Sequence, residues 1–346
     1  MNKLDKHDAR AKINELSAQS KPFVFFVDFD QENVIISEHP TEDDIYFDFS
    51  GHSNIAEIDH GYPVDFYFEK YPIQYSEYEA AFDRVMMHLK RGDSYLVNLA
   101  FPTLIKTNLT LKDLFYQSVA KFKAYIPGQF AFFSPERFID IIGDQVTTYP
   151  MKGTIDADIP NAEEIILNDS KELAEHSTVV DLLRNDLSQI CDQVRVSRFR
   201  YIDEIVSNNK KLLQVSSEIT GKLQVGLSGY LGGILFKMLP AGSITGAPKR
   251  KTVDIIKSIE ASPRQYYTGV CGHYDGTNLR SGVMIRMIQL DDQNNMYYYS
   301  GGGITAQSNP QSEYQELIDK VYVPITRDHQ NQRRSDMQHR ISQQEA

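Results

Sequence analysis

Two pairs of glutamates, each pair three positions apart, are the residues of this sequence best suited to holding a metal ion. Glu172 and Glu175 lie in "KELAEHSTVVDLL", and Glu313 and Glu316 lie in "SEYQELIDK". In a helix this spacing places both carboxylates on one face, where like charges repel unless a cation lies nearby. Four carboxylates with bound water suit Mg²⁺, which prefers oxygen ligands. A solvated helix surface explains any one pair equally well, so both interpretations stay open here.

A lysine and a glutamate that follow strand-like runs are candidates for covalent and acid catalysis. The segment "YPMKGT" contains Lys152 between a methionine and a glycine. An amine held at the mouth of a pocket can attack carbon, although an ordinary turn has the same residue types. Glu136 in "FSPERF" follows an aromatic strand, where burial would raise its pKa towards that of a general acid. An exposed loop is the alternative for Glu136.

Three further features have both a structural and a binding interpretation. Arg286 lies in the apolar run "SGVMIRMIQL", where a guanidinium is costly to bury unless it meets an anion. A structural salt bridge would satisfy Arg286 equally well. Tyr267 is either a core residue or a hydroxyl donor. The segment "GGGITA", residues 301–306, is either a glycine turn or a set of backbone amides facing a ligand carboxylate.

The segment "LPAGSITGAPK", residues 239–249, has some of the residues of a phosphate-binding loop but not their spacing. A Walker loop needs glycine, lysine and serine or threonine in succession, and here an Ala-Pro pair separates the last glycine from Lys249. Pro248 instead favours the first turn of a helix. Ser243 and Thr245 would then lie near the helix N-terminus, where they either cap the helix or help to bind an anion.

The elements that must position these residues predict an α+β fold. Hairpin-like strand pairs alternate with amphipathic helices, and strict βαβ alternation is missing, so antiparallel sheets covered by helices are expected. Helices are predicted for "SEYEAAFDRVMMHLKRG", "LKDLFYQSVAKFKA", residues 171–187, "LSGYLGGILFKML", "KRKTVDIIKSIE" and "PQSEYQELIDKVY". His176, beside Glu175, is predicted to be a surface residue.

Composition and charge exclude several classes of protein. The chain has 346 residues and a formal charge of −11, which argues against general nucleic-acid binding because phosphate contacts need a basic face. The N-terminus is charged from its first residues, and we expect neither a secretory signal nor a membrane span. The two cysteines, Cys191 and Cys271, form no paired motif, which predicts a reducing, cytoplasmic location.

Taken together, the motifs resemble those of the chorismate-utilising enzymes. "FSPERF", "PMKGT", "AEHSTVVDLLRNDL", "LPAGSITGAPK", "GVMIRM" and "SGGGITAQSNPQSEYQELIDK" occur in the order found in that family. The resemblance covers residues 76–325 as the catalytic region. It implies one large domain of two packed antiparallel β-sheets with helices on the outer faces. Residues 1–75 are expected to be the N-terminal part of this domain, and residues 326–346 a polar, disordered tail.

The resemblance also implies a role for each motif residue. Mg²⁺ would be held by the two glutamate pairs, with Glu175 and Glu316 as ligands and Glu172 and Glu313 on its waters. The substrate, chorismate, would be bound by Thr154, Ser243, Thr245, Tyr267, Arg286, Gly302, Gly303 and Lys320. Glu136 would protonate the departing C4 hydroxyl.

Within this family the sequence is most similar to the aminodeoxychorismate synthase component I branch, which has a lysine at position 152. The resemblance implies that Lys152 attacks C2 of chorismate as the C4 hydroxyl leaves, and that ammonia then adds at C4 and expels the lysine. Leu96 lies where isochorismate-forming relatives have a water-activating lysine, which argues against water as the nucleophile. Gln214 and His273 replace residues usual in the family, and we assign Gln214 no acid–base role because glutamine cannot titrate.

Two alternatives remain to that function. One is anthranilate synthase component I, which the absence of tryptophan from the chain mildly favours. The other is a catalytically silent relative that binds chorismate or a partner, which the intact acid, metal and lysine positions oppose. No glutaminase motif is recognisable in the sequence. We therefore expect a separate glutamine amidotransferase subunit to supply ammonia.

Overall fold

Two antiparallel β-sheets packed against each other, together with the helices that cover them, position the candidate residues. The computed structural model describes residues 3–41, 44–55, 66–207, 210–225 and 229–325. The strands are β1 Phe23–Val27, β2 Val34–Ser37, β3 Tyr46–Phe49, β4 His52–Ser53, β5 Phe68–Tyr71, β6 Leu96–Thr107, β7 Phe122–Ile126, β8 Phe130–Ser134, β9 Arg137–Ile142, β10 Gln145–Thr148, β11 Met151–Asp156, β12 Cys191–Ser207, β13 Lys210–Leu223, β14 Gly246–Ala247, β15 Val270–Tyr274, β16 Leu279–Val283, β17 Met287–Leu290 and β18 Met296–Ile304. The helices are α1 Lys6–Ala18, α2 Tyr75–Lys90, α3 Leu111–Gln117, α4 Ala162–Asn168, α5 Ser170–Ser188, α6 Leu231–Met238, α7 Lys249–Ile259 and α8 Pro310–Asp319.

The strand order brings distant parts of the chain together. Over the described ranges, the first sheet runs β11-β13-β10-β9-β16-β15-β1-β2, and β12 also pairs with β13. The second sheet runs β14-β6-β18-β17-β8-β7-β3-β4, and β5 also pairs with β6. The N-terminal strands β1 and β2 therefore extend the first sheet, whereas β3, β4 and β5 belong to the second. The predicted α+β fold of two packed antiparallel sheets is confirmed.

Continuous apolar runs in the sequence mark strands that are covered on both faces. In β1, Phe25 belongs to the apolar core that also contains residues of the helices. Its neighbours Val24 and Phe26 pack between the two sheets. In β8, Phe130 and Phe132 likewise face the space between the sheets. Because successive side chains of a strand point to opposite faces, a strand buried on both sides is apolar throughout.

Two helices carry the glutamate pairs, and their apolar faces determine which way those pairs point. Helix α5 packs against β11, β12 and β13, and its residues Val179, Leu183 and Leu187 lie in the core. Helix α8 packs against β18 through Leu317. Each helix is therefore held on a different sheet, α5 on the first and α8 on the second. The site can form only where these two sheets meet.

Several stretches differ from the predicted elements, and helices α1 and α4 were not predicted. The helix predicted for "LKDLFYQSVAKFKA" ends at Gln117, and β7 begins at Phe122. Burial alternates along β7, with Phe122, Ala124 and Ile126 inside, because this segment has strand rather than helix periodicity. The long strand β12 was not predicted, although its segment "VRVSRF" alternates in the same way. The predicted disordered tail, residues 326–346, lies outside the described residues.

The two cysteines are free and buried. Burial raises the pKa of both thiols, to about 12 for Cys191. Because the thiolate is the nucleophilic form of cysteine, neither thiol is suited to nucleophilic catalysis. Among the described helices, none combines the length and apolarity needed to cross a membrane.

Candidate active site

Lys152 lies in an irregular part of β11 that faces the second sheet. Its amine, Nζ, is 3.7 Å from a carboxylate oxygen of Glu175 on α5. A β-carbon added to Gly303 would lie 3.0 Å from the same Nζ. Lys152 from the first sheet and the glycines of β18 from the second are thus brought to one place. The side chain of Lys152 is 22% exposed, so a ligand can reach it.

The two glutamate pairs approach the backbone of neighbouring glycines. A β-carbon on Gly302 would lie 3.5 Å from a carboxylate oxygen of Glu313 and 3.8 Å from one of Glu316. On the other side of the site, a β-carbon on Gly153 would lie 2.9 Å from a carboxylate oxygen of Glu172. Glycine at these positions therefore lets carboxylates approach the backbone closely.

Lys320 connects α8 to β18 inside the site. Its amine is 2.6 Å from a carboxylate oxygen of Glu316 and donates a hydrogen bond of 2.9 Å to the carbonyl of Gly301. Burial lowers the pKa of Lys320, while the nearby Glu316 carboxylate opposes that shift. The site therefore contains two amines, those of Lys152 and Lys320, each in contact with one glutamate.

Glu136 has the environment expected of a general acid. It precedes β9, and the hydroxyl of Ser243 donates a hydrogen bond of 2.5 Å to its carboxylate. Burial raises the pKa of Glu136, whereas the Ser243 hydroxyl and the positive charges of the surrounding lysines and Arg286 oppose the shift. Because burial is the largest effect, the carboxyl keeps its proton to a higher pH than an exposed glutamate does.

Arg286 and Tyr267 provide hydrogen-bond donors on the same side as Glu136. Arg286 lies between β16 and β17 with a backbone φ of 54°, and its guanidinium is 5.1 Å from the ring centre of Tyr322. Its buried Nε has no hydrogen-bond acceptor among the described residues. Burial raises the pKa of Tyr267 to about 12, which keeps its hydroxyl protonated. A guanidinium and a phenol of this kind suit a carboxylate ligand.

Comparison with known proteins assigns the chain to a family. The sequence model of the family described as chorismate binding enzyme matches residues 63–326 of this chain. The chain belongs to the chorismate binding enzyme family. A Haemophilus influenzae protein described as an uncharacterized PabA-like protein is 46% identical over 91% of this chain and 95% of its own length. Aminodeoxychorismate synthase component 1 of Klebsiella aerogenes is 32% identical over 71% of this chain and 56% of its own length.

A solved structure supports the fold of this chorismate binding enzyme. The menaquinone-specific isochorismate synthase MenF from Escherichia coli superposes with a TM-score of 0.72, covering 93% of this chain and 82% of that chain. Its sequence identity is 15%, so this similarity concerns the fold alone.

The donor atoms of this chorismate binding enzyme fit Mg²⁺ in chemical type. The candidate ligands are carboxylates, and Glu313 is buried with 8% exposure, where a nearby cation would stabilise its charge. Within the described ranges, no three His, Cys, Asp or Glu side chains converge as a complete binding cluster. Mg²⁺ commonly keeps several waters and uses one or two carboxylates together with a substrate group. The residues therefore fit a site that Mg²⁺ shares with substrate, rather than an all-protein cage.

Two residues of the "LPAGSITGAPK" segment are held by bonds within the protein rather than directed into the site. Thr245 is fully buried, and its hydroxyl donates a hydrogen bond of 3.0 Å to the carbonyl of Ala241 within its own loop. Lys249 begins α7 and contacts Asp186 at 2.7 Å, so the end of the segment is anchored to α5. The segment therefore contributes to the site mainly through Ser243.

The prediction that His176 is a surface residue is wrong. Its side chain is completely buried, and its Nε2 lies 2.6 Å from the hydroxyl of Ser217. Burial lowers the pKa of His176 to about 4. The helical spacing contained the signal, because His176 lies three and seven positions before the core residues Val179 and Leu183 and so shares their face.

Gln214 and His273, the two residues that replace those usual in the family, both contact other side chains or backbone in the structure. Gln214 hydrogen-bonds to Gly153 and Thr154, on the C-terminal side of Lys152. The place of Gln214 between Leu213 and Val215 was the available signal for these contacts. The ring of His273 lies 5.8 Å from that of Phe47 and packs among aromatic side chains.

Proposed function

We propose that this chorismate binding enzyme is an aminodeoxychorismate synthase component I, which converts chorismate and ammonia to 4-amino-4-deoxychorismate for para-aminobenzoate and folate synthesis. The position of the Lys152 amine carries the proposal, because it lies beside Gly303 and Glu175, where the substrate-binding elements meet. The relationship to aminodeoxychorismate synthase component 1 of Klebsiella aerogenes supports the same branch of the family.

Lys152 and Glu136 have complementary roles in the proposed reaction. The nitrogen lone pair of Lys152 forms a bond to C2 of chorismate as the C4–oxygen bond breaks. Glu136 gives its proton to the departing hydroxyl, which leaves as water. The raised pKa of Glu136 supports this role, because the acid must hold its proton at the pH of the reaction. Ammonia then bonds to C4, and the Lys152 nitrogen leaves C2.

The remaining site residues bind the two carboxylates of chorismate. Arg286, Tyr267 and the backbone amides of Gly302 and Gly303 hold the pyruvyl carboxylate. The Nε of Arg286, which has no acceptor in the part of the chain that the structure describes, supports this assignment, since such a buried donor favours an anionic ligand. The ring is lined by further polar side chains, which are Thr154, Ser243 and Lys320.

The glutamate pairs would hold Mg²⁺ at the ring carboxylate. Glu175 and Glu316 would be its ligands, and Glu172 and Glu313 would orient its waters. When bound, Mg²⁺ supplies positive charge that fixes the ring carboxylate. Glu175 also contacts Lys152, so the same carboxylate orients the proposed nucleophile.

Ammonia is proposed to come from a separate amidotransferase subunit in the cytoplasm. The two thiols, Cys191 and Cys271, are buried with raised pKa values, which does not suit the nucleophile of a glutaminase. This chain would therefore use ammonium directly, and glutamine only through its partner.

Product identification tests the proposed function. The purified chain is mixed with chorismate, Mg²⁺ and ammonium, and products are separated and identified by mass and by retention against standards. We expect 4-amino-4-deoxychorismate. Anthranilate as the main product would assign the chain to the other amine-forming branch. Binding of chorismate without any loss of it would identify a catalytically silent relative.

A further inference from the structure

The strand that carries Lys152 contains a β-bulge at this residue. Met151 pairs with Ser216 and Thr154 pairs with Gln214, so three steps along β11 match two steps along β13. Such a bulge places an extra residue in one strand and interrupts the regular hydrogen bonds of the ladder. Gly153, inside the bulge, has a φ of +82°, which favours glycine. The direction of Lys152 therefore depends on what stabilises this irregular segment.

The side-chain amide of Gln214 makes two hydrogen bonds to the bulge, one to a backbone carbonyl and one to a side-chain hydroxyl. Its nitrogen donates to the carbonyl oxygen of Gly153 at 2.8 Å, and its oxygen accepts from the hydroxyl of Thr154 at 2.8 Å. The same nitrogen also lies 3.2 Å from the carbonyl oxygen of Val215. Gln214 is 8% exposed, so water competes little for these bonds.

We propose that Gln214 is a positioning residue that holds Lys152 in the site through the Gly153–Thr154 bulge. A neutral amide has a donor and an acceptor on one rigid group, and this bulge requires both. Glutamate would keep the acceptor for Thr154 but lose the donor to Gly153 when ionised. Leucine would lose both. The importance of this position for turnover rests on the proposed function, but the position of the Lys152 amine can be measured without any activity.

Chemical labelling of Lys152 in the folded protein tests the proposal. An amine-reactive reagent is applied briefly, and modification at Lys152 is compared by peptide mass mapping with modification at Lys222. Lys222 is the internal reference because its side chain is 61% exposed and lies at the far end of β13. The variants are Gln214→Leu and Gln214→Glu, measured at pH 8 after circular dichroism has shown that each is folded.

Gln289→Leu is the matched control. Gln289 is also a buried glutamine with two backbone partners, since it accepts from the amide of Tyr266 and donates to the carbonyl of Arg264. Gln289→Leu removes a similar pair of hydrogen bonds to the backbone in the core of the second sheet, and it leaves the contacts of β11 unchanged. If the labelling of Lys152 changes only because the whole protein is less rigid, the same change should therefore occur in this variant.

We expect both Gln214 variants to change the Lys152-to-Lys222 labelling ratio by about threefold or more, while the control stays within that limit, because only the first two release the bulge. For chorismate loss, we expect kcat to fall about tenfold or more and KM to change much less. A smaller change in the ratio in the Gln214 variants, or an equal change in Gln289→Leu, would overturn the proposal. If labelling changes as expected but Lys152→Ala remains fully active, the positioning role stands and the proposed reaction fails.

Discussion

Lys152 and Glu136 are the nucleophile and the acid of the proposed reaction. Lys152 lies in contact with Glu175, and Glu136 accepts a hydrogen bond from Ser243. Burial raises the pKa of Glu136, so its carboxyl keeps its proton to a higher pH than an exposed glutamate does. Neither residue type is unusual by itself, and it is their common location that supports the mechanism.

Replacing Lys152 should change which product is formed. In Lys152→Ala we expect 4-amino-4-deoxychorismate formation to fall about 100-fold or more. The reason is that the Lys152 nitrogen no longer occupies C2 of chorismate and so no longer directs ammonia to C4. Some anthranilate should appear, since ammonia can then reach C2. Products are quantified after reaction with ammonium, and Lys222→Ala serves as the control at an exposed lysine. Wild-type product formation by Lys152→Ala would refute the nucleophile assignment.

The raised pKa of Glu136 predicts a loss of activity at high pH. Because only the protonated carboxyl can donate to the leaving hydroxyl, kcat should fall as pH rises through the pKa of Glu136. Burial moves this fall to a higher pH than an exposed glutamate would give. Glu136→Gln should lose most of the rate together with this pH dependence. A pH–rate profile of both proteins makes the comparison, and an unchanged profile in the variant would contradict the role.

The buried His176 predicts acid sensitivity of the fold. Its pKa falls from its usual value of 6.5 to about 4 on folding, so between these values the unfolded state binds more protons. Stability conferred by the neutral ring is full above pH 6.5 and decreases as pH falls, by up to roughly 3 kcal/mol at pH 4. Urea unfolding of His176→Gln should show a weaker pH dependence over this range. His7→Gln, at a side chain 94% exposed, should keep the wild-type dependence.

Helices α5 and α8 form the next level of organisation, because each presents a glutamate pair from a different sheet. Glu175 on α5 contacts Lys152, and Glu316 on α8 contacts Lys320. The two contacts are similar in kind, each joining a carboxylate to an amine beside the glycines of β18. A cation shared by Glu175 and Glu316 would link the helices across the site.

Removing either proposed metal ligand should abolish the dependence on Mg²⁺. We expect Glu175→Gln and Glu316→Gln to lower chorismate turnover about 100-fold, because a hard anionic ligand is lost while the side-chain shape is kept. Turnover is measured across Mg²⁺ concentrations, with circular dichroism as the check on folding. Glu164→Gln, an exposed glutamate on α4, is the control. Near-normal turnover in both ligand variants at ordinary Mg²⁺ would show that these glutamates are only helix-surface residues.

The packing of the two sheets determines the geometry of the complete site. Lys152 belongs to β11 of the first sheet, and the glycines that face it belong to β18 of the second. Aromatic residues such as Phe26 and Phe132 fill the space between the sheets. The distance between the Lys152 amine and the glycine backbone of β18 is therefore set by this core.

The prediction that concerns the whole chain is about the source of nitrogen for the proposed reaction. The purified chain should use ammonium, and glutamine should support turnover only after a glutamine amidotransferase subunit is added, because neither thiol of this chain is a suitable nucleophile. Turnover is followed as 4-amino-4-deoxychorismate formed with each nitrogen source. Glutamine-dependent turnover by the chain alone would contradict the prediction.

The fold class and the family could be predicted from local patterns. Hairpin-like strand pairs alternating with amphipathic helices predicted the α+β fold, and motif order predicted the chorismate binding family. These predictions succeeded because periodicity and residue type are properties of short segments. The helix predicted through Phe122 was wrong, because a single window cannot show that β3 and β8 will pair with that segment.

How the candidate residues meet could not be predicted in this way. Nothing in the spacing of Lys152 and Gly303 shows that they are neighbours, since 151 positions of chain separate them and packing of the two sheets brings them together. The bulge at Lys152 likewise depends on its pairing with β13. Contacts between distant segments are fixed by the packing of the whole core, which local sequence patterns do not contain.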